Sequence, residues 1–135
     1  MAVMASRQIS ITIAVPLAEG YAFAHRPENF PQWAAGLSHS LHQTDRGRVA
    51  QTLGGEAIVR FSPANDFGVL DHWVTLPDGQ EISIPLRMID NGGATEVVFT
   101  LFRQPSMDDA TFEADAEAVR KDLQTLKTLL EKGAA

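Results

Sequence analysis

No cysteine occurs in the 135 residues. That absence excludes disulfides, thiolate zinc sites, iron–sulfur clusters and a cysteine nucleophile. No stretch approaches 18 consecutive apolar residues, so no membrane span is expected. The opening Met1-Ala2-Val3-Met4-Ala5-Ser6-Arg7 lacks the basic segment and apolar run of a secretory signal, and a cytoplasmic location is the expectation. Basic charge is scarce: 11 Lys and Arg stand against 17 Asp and Glu, a net charge of −6. A general nucleic-acid or anionic-membrane binder needs the opposite balance. Familiar chemical motifs are missing too. Gly54-Gly55 has no phosphate-loop pattern around it, no G-x-S-x-G elbow occurs, and no H-x-H or H-E-x-x-H string is present. His25, His39 and His42 are not spaced as metal ligands; the last two point to opposite faces of an expected strand. Neither a metal nor a cofactor is expected.

What is present suits a globular chain. Hydrophobic residues make up 44% and charged residues 21%. The length suits a single domain, 1–135, with a core over about 8–132. Residues 8–15 alternate strictly, with Ile9, Ile11, Ile13 and Val15 on one face, and predict a half-buried strand. Pro16 ends it and starts a short helix to about Ala24. A second short helix or pair of turns is expected over Glu28–Ala35, with Phe30 and Trp33 pointing the same way and Gly36 as C-cap.

From residue 38 to 104 the pattern becomes strands and tight turns. Expected strands are Ser38–Thr44, Val49–Leu53, Ala57–Ser62, Phe67–Leu76, Glu81–Asp90 and Thr95–Arg103, separated by glycine-containing turns such as Asp45-Arg46-Gly47, Gly54-Gly55 and Asn91-Gly92-Gly93. The final segment, Asp109–Lys132, places Phe112, Ala116, Val119, Leu123, Leu126 and Leu130 on one helical face. Such a helix is about 36 Å long and must lay that face on the sheet. The predicted architecture is α+β: a seven-stranded curved antiparallel sheet gripping a long C-terminal helix, in the order β-α-α-β6-α. A strongly curved sheet leaves space beside the helix.

Several strings resemble a known superfamily. Ile11-x-Ile13-Ala14-Val15-Pro16-x-x-x-x-Tyr21-x-Phe23 followed by Asn29-Phe30-x-x-Trp33 resembles the opening of the START-like helix-grip proteins (SRPBCC). The run Phe67–Gly79, the string Pro85-Leu86-Arg87-x-x-x-Asn91-Gly92 and the run Glu96–Arg103 resemble its polyketide cyclase/dehydrase group. The resemblance covers about residues 8–132. It implies a seven-stranded sheet around the C-terminal helix with an apolar cavity between them. The superfamily includes carriers, cyclases, hydroxylase components and chaperone activators, so it does not fix an activity.

Strand parity nominates the cavity wall. On 81–90 the inward set is Ile82, Ile84, Leu86 and Met88. An odd hairpin loop at Pro77-Asp78-Gly79 puts Leu70, His72 and Val74 on the same face, and Asp71 with Arg87 on the other; a two-residue loop would exchange them. The expected cavity residues are Phe30, Trp33, Leu70, His72, Val74, Ile84, Leu86, Met88, Phe99, Val119 and Leu123. His72 reads either as a ligand hydrogen-bonder or acid/base group, or as a structural histidine satisfied by backbone. Asp71 and Arg87 read as an outer cross-strand ion pair or, with the strand flipped, as an anion clamp in the cavity. Phe30 and Trp33 read as an aromatic gate or as a plug between helices and sheet. Trp73, facing outward, hints at a homodimer surface.

Three functions follow in order. The first is binding of a small hydrophobic or aromatic molecule, as carrier, sensor or lipid-binding protein. The second is a cofactor-free polyketide cyclase, aromatase or dehydratase-like enzyme using His72, helped by Thr100 or Arg87. The third is a protein-interaction module.

Overall fold

The computed structural model describes residues 3–34, 41–52 and 55–133. β1 (Ser6–Ile13) keeps the period-two pattern, with Ile9 and Ile13 buried. α1 (Leu17–Ala24) follows Pro16, and a 3-10 turn (Pro27–Asn29) runs into the single-turn α2 (Phe30–Trp33). Then come β2 (His42–Thr44), β3 (Gly47–Thr52), β4 (Gly55–Phe61), β5 (His72–Thr75), β6 (Glu81–Ile84), β7 (Leu86–Asn91) and β8 (Ala94–Phe102). The chain ends in α3 (Asp109–Gly133). Gly36, His39, Gly54 and the start of the strand expected from Ser38 lie outside the described residues.

The α+β layers and the long helix agree with the expectation; the sheet does not. Among the described residues eight strands stand in place of the expected seven. They form two antiparallel sheets, β1-β8-β7 and β2-β3-β4-β5-β6. The expected strand 81–90 is divided at Pro85, with β6 pairing β5 and β7 pairing β8. Proline has no N–H, so Pro85 accepts a bond from the Thr100 N–H at 3.0 Å but cannot return it. The β7–β8 ladder therefore stops there.

The partner run 67–75 crosses the same junction. Its register is continuous: Val69 opposes Arg87 and His72 opposes Ile84. Leu70 donates its N–H to Leu86 O at 2.8 Å, and Met88 donates to Gly68 O at 2.9 Å. The reciprocal bond, Leu86 N–H to Leu70 O, is replaced. The Leu86 N–H goes instead to Asp71 Oδ1 at 2.9 Å. Asp71 also receives both arms of the Arg87 fork, Nε at 2.8 Å and Nη2 at 2.7 Å. Gly68 meets β7 so closely that a Cβ would stand 2.1 Å from Met88 O, and its φ of +71° is a glycine conformation.

α3 buries Phe112, Ala116, Leu123, Leu126 and Leu130, the expected stripe. It packs chiefly on β1 and, beyond that, on α2 and β8. Both ends are clasped. Near the C-terminus, Lys127 Nζ donates to Thr12 O at 2.7 Å, and Glu131 accepts the Ala14 N–H at 2.8 Å. At the N-terminus, Asp108 accepts the Thr111 N–H at 2.8 Å, and Arg103 pairs with Asp109 at 2.6 Å. The helix is thereby held against the three-stranded sheet. Two apolar clusters result: a main one between α3, α1 and that sheet, and a second one on the five-stranded sheet around Ala50, Ala57, Val59 and Val74.

The Asp71 junction makes an asymmetric prediction. Asp71→Ala strands the N–H of fully buried Leu86 and is expected to cost about 1–3 kcal/mol. Arg87 is half exposed, and Arg87→Ala leaves that bond in place, so its expected cost is under about 1 kcal/mol. Urea denaturation of both variants checks the order.

Candidate functional site

Between the two clusters lies a cavity of about 260 Å³. The five-stranded sheet contributes Val59, Phe61, His72, Val74 and Ile84 to its wall. α3 contributes Asp115, Ala118, Val119, Asp122 and Leu123, and β8 contributes Phe99 and Leu101. Phe30, Trp33, Ala34 and Leu41 complete the described lining. The space exists because α3 is fastened along β1 while the strands beyond Pro85 diverge from it.

His72 is 5% exposed and points into this wall. The odd-loop hairpin register holds, pairing His72 with Ile84 and Val74 with Ile82. Its Nδ1 lies 3.1 Å from Leu70 O. That carbonyl is the one left by Leu86, so the Asp71 clasp supplies the acceptor that orients the ring. A carbonyl accepts only, so Nδ1 carries the proton and neutral His72 presents Nε2 as an acceptor. Among the described residues Nε2 has no hydrogen-bond partner. Phe30 meets the imidazole edge-on at 5.2 Å between centroids, and Phe61 stacks at 5.7 Å. Burial pushes the imidazole below its ordinary value near 6.5, against smaller opposing pulls from Leu70 O and Asp71.

Trp33 is 4% exposed and packs edge-to-face on Phe30 at 4.8 Å. Its Nε1–H is buried and has no acceptor among the described residues. Buried indole N–H groups are normally paired. Trp33 and His72 both line the cavity, and among the described residues Trp33 Nε1–H and His72 Nε2 have no hydrogen-bond partner.

Eight of the expected residues stand on the wall: Phe30, Trp33, His72, Val74, Ile84, Phe99, Val119 and Leu123. Leu70, Leu86 and Met88 do not line it. They are buried in the main cluster with Ile9, Ile13, Val97 and Leu126. Their parity is right, but the bend at Pro85 turns that face from the cavity toward the core under α1 and α3. Thr100 and Arg87 are no helpers of His72: Thr100 bonds Gln8 on the outer surface, and Arg87 is spent on Asp71. The outward Trp73 is covered by the Arg60 guanidinium, 4.4 Å from its ring, which also pairs with Glu81.

No family model and no curated protein matches the chain. Solved structures do. XoxI from Bacillus cereus superposes with a TM-score of 0.72 at 14% identity, covering 94% of this chain and 96% of its own. Ara h 8.0201 gives 0.66 at 10% identity, covering 95% and 98%. DynU16, from the dynemicin biosynthetic locus, gives 0.67 at 14% identity; 95% of this chain matches 48% of that one, so the chain spans about half its length. The fold is a helix grip. In this helix grip no helix of the described residues is long and apolar enough to cross a membrane.

The residues that sequence reasoning missed are Ala34, Leu41, Val59, Phe61, Leu101, Asp115, Ala118 and Asp122. Val59 and Phe61 carry a signal, since they share the parity of Ala57 on β4. Asp115 and Asp122 carry a weaker one: they stand four before and three after Val119, on the edge of the apolar stripe.

The depressed His72 pKa has a defined sign. The unfolded chain takes up a proton near pH 6.5 while the folded chain resists it, so stability falls as pH drops below that value. His72→Phe, which keeps an aromatic ring between Phe30 and Phe61, is expected to flatten the decline in melting temperature between pH 7 and pH 5. Identical slopes for the two proteins would mean that His72 titrates as in water.

Proposed function

We propose that this helix-grip protein binds a small aromatic or apolar molecule in the cavity between α3 and the five-stranded sheet. The observation that carries the reading is a largely apolar, aromatic-rich space whose lining includes the inward imidazole of His72, with no partner for its Nε2 among the described residues. A ligand hydroxyl donating to His72 Nε2 would complete it. Size narrows the class. A cavity of roughly 150 Å³ takes benzene, so about 260 Å³ suits a molecule of two fused rings. A carrier, sensor or scavenger role fits this reading.

The cyclase-like alternative keeps one support, the inward imidazole with its shifted pKa. A neutral Nε2 at physiological pH is a competent general base. The one hydrogen bond of His72 among the described residues goes to a backbone carbonyl rather than to a second acid or base, and the helpers expected for it face outward. Binding is therefore the reading we favour, with a single-domain protein of about 8–132 as its frame.

Isothermal calorimetry with naphthol tests it. Naphthol is expected to bind one-to-one, and Val119→Trp, which fills the cavity from α3, is expected to weaken it at least tenfold. The variant should melt within about 4 °C of the parent, since the added ring enters existing space. Undiminished binding by Val119→Trp would place the ligand elsewhere.

A further inference from the structure

The main chain around Asp71 is held from both neighbouring strands. Ser62 donates to Asp71 O through its N–H at 3.0 Å and its hydroxyl at 2.6 Å. Leu70 donates its N–H to Leu86 O at 2.8 Å, and His72 opposes Ile84 in register. Leu70 O is therefore fixed in place, and among the described residues it meets one donor, His72 Nδ1 at 3.1 Å. Rings hold the imidazole as well: Phe61 stacks on it at 5.7 Å and Phe30 meets it edge-on at 5.2 Å. Turning the ring over would carry Nδ1 away from Leu70 O. Moving the proton to Nε2 would set two lone pairs against each other there, since a carbonyl donates nothing. The tautomer is thus set before any ligand arrives. Nε2 lies on the edge of an imidazole farthest from its Cβ, so a ring that lines the cavity from a strand leads with that nitrogen. The one polar side-chain atom among the described residues that is both sealed off and unpaired is Trp33 Nε1. His72 Nε2 is unpaired without being sealed, although the residue is only 5% exposed, and the space open to it is the cavity that it lines. Burial also lowers the imidazole pKa, so the ring is neutral at physiological pH.

We infer that Asp71, from the outer face, sets the polarity of the ligand: by diverting the Leu86 N–H it keeps Leu70 O for His72, and the cavity then takes aromatic molecules that donate a hydrogen bond and refuses those that only accept one. The inference rests on the binding reading above and names the ligand class for the same cavity, two-ring aromatics bearing a hydroxyl or a ring N–H. Such a donor placed against Nε2 completes it. A carbonyl or a pyridine-type nitrogen in that place brings lone pair against lone pair in a largely apolar space, and the held imidazole cannot turn to relieve it. The selection works by repulsion as much as by attraction. Asp71 touches no ligand; it is a positioning residue that acts through two backbone groups. Without its carboxylate the Leu86 N–H returns to Leu70 O, the bond an unbroken antiparallel ladder makes. His72 Nδ1 must then share that acceptor, and its proton is no longer tied to Nδ1. Asparagine in place of Asp71 keeps an amide oxygen for the Leu86 N–H and so keeps the arrangement.

Two measurements on the full-length protein decide the matter, both at mildly alkaline pH. Nitrogen NMR of the histidine rings reads the tautomer. His72 is expected wholly in the Nδ1–H form in the parent and in Asp71→Asn, and as a mixture of tautomers in Asp71→Ala. Calorimetry with naphthol, a donor, and isoquinoline, an acceptor with the same two fused rings, reads the selection. Naphthol is expected to bind about tenfold more tightly or better, the weight of one hydrogen bond. Asp71→Ala is expected to shrink that ratio about threefold or more, while Asp71→Asn and Arg87→Ala, which leave the Leu86 bond in place, retain it. Thermal melting shows that each variant is folded. An Nε2–H form in the parent, equal affinities or a preference for isoquinoline would overturn the donor selection and leave the cavity reading standing. A tautomer and a ratio unchanged in a folded Asp71→Ala, or altered as much in Arg87→Ala, would overturn the role of Asp71. Failure of both molecules to bind would overturn the cavity reading and this inference with it.

Discussion

The arrangement of the whole site depends on where one backbone N–H goes. In an unbroken antiparallel pair, Leu86 would donate to Leu70 O. Asp71 takes that bond instead and secures its carboxylate with Arg87, whose guanidinium lowers the Asp71 pKa from its ordinary value. Two consequences follow. The ladder opens where Pro85 already prevents pairing with β8, so one potential sheet becomes two. Leu70 O also becomes free to accept from His72 Nδ1 and turns the imidazole inward. A cross-strand ion pair on the outer face thus sets a polar group on the inner one. Its contribution to stability is modest, and its contribution to geometry is larger.

The cavity is the other face of that junction. α3 is pinned to β1 by Lys127, Glu131 and the Arg103 clasp, so it cannot follow the strands that bend away beyond Pro85. Packing at near-crystalline density would remove the space if the helix could slide. Phe30 meets both Trp33 and His72 edge-on, which makes that part of the wall aromatic. The acids at the α3 side are then the only charged groups among the described residues of the wall.

Much of this was legible in the residues. Alternation over 8–15 and the apolar stripe of 112–130 are strong periodic signals, and tertiary packing reinforced both. The odd loop at Pro77-Asp78-Gly79 correctly put His72 with Ile84, because a hairpin's parity follows from its loop length. Pro85 was visible too, but parity arguments treat a strand as straight. They carried Leu86 and Met88 into the cavity when the bend directs them to the core. Asp115 and Asp122 went unnoticed for a different reason: a search for an apolar lining discards carboxylates at the edge of a stripe. The role of Asp71 was half readable. Its pairing with Arg87 follows from register, whereas its theft of the Leu86 N–H needs coordinates.

The central claim is a ligand-accessible space between α3 and the five-stranded sheet, separate from the packed core. Xenon enters apolar cavities of this size without specific chemistry. Methyl-resolved NMR under xenon pressure is the direct measurement. The account predicts shifts at Val59, Val74, Ile84, Val119 and Leu123, with Ile13, Leu86, Met88 and Val97 unmoved. Shifts spread over both groups, or absent from both, would contradict it.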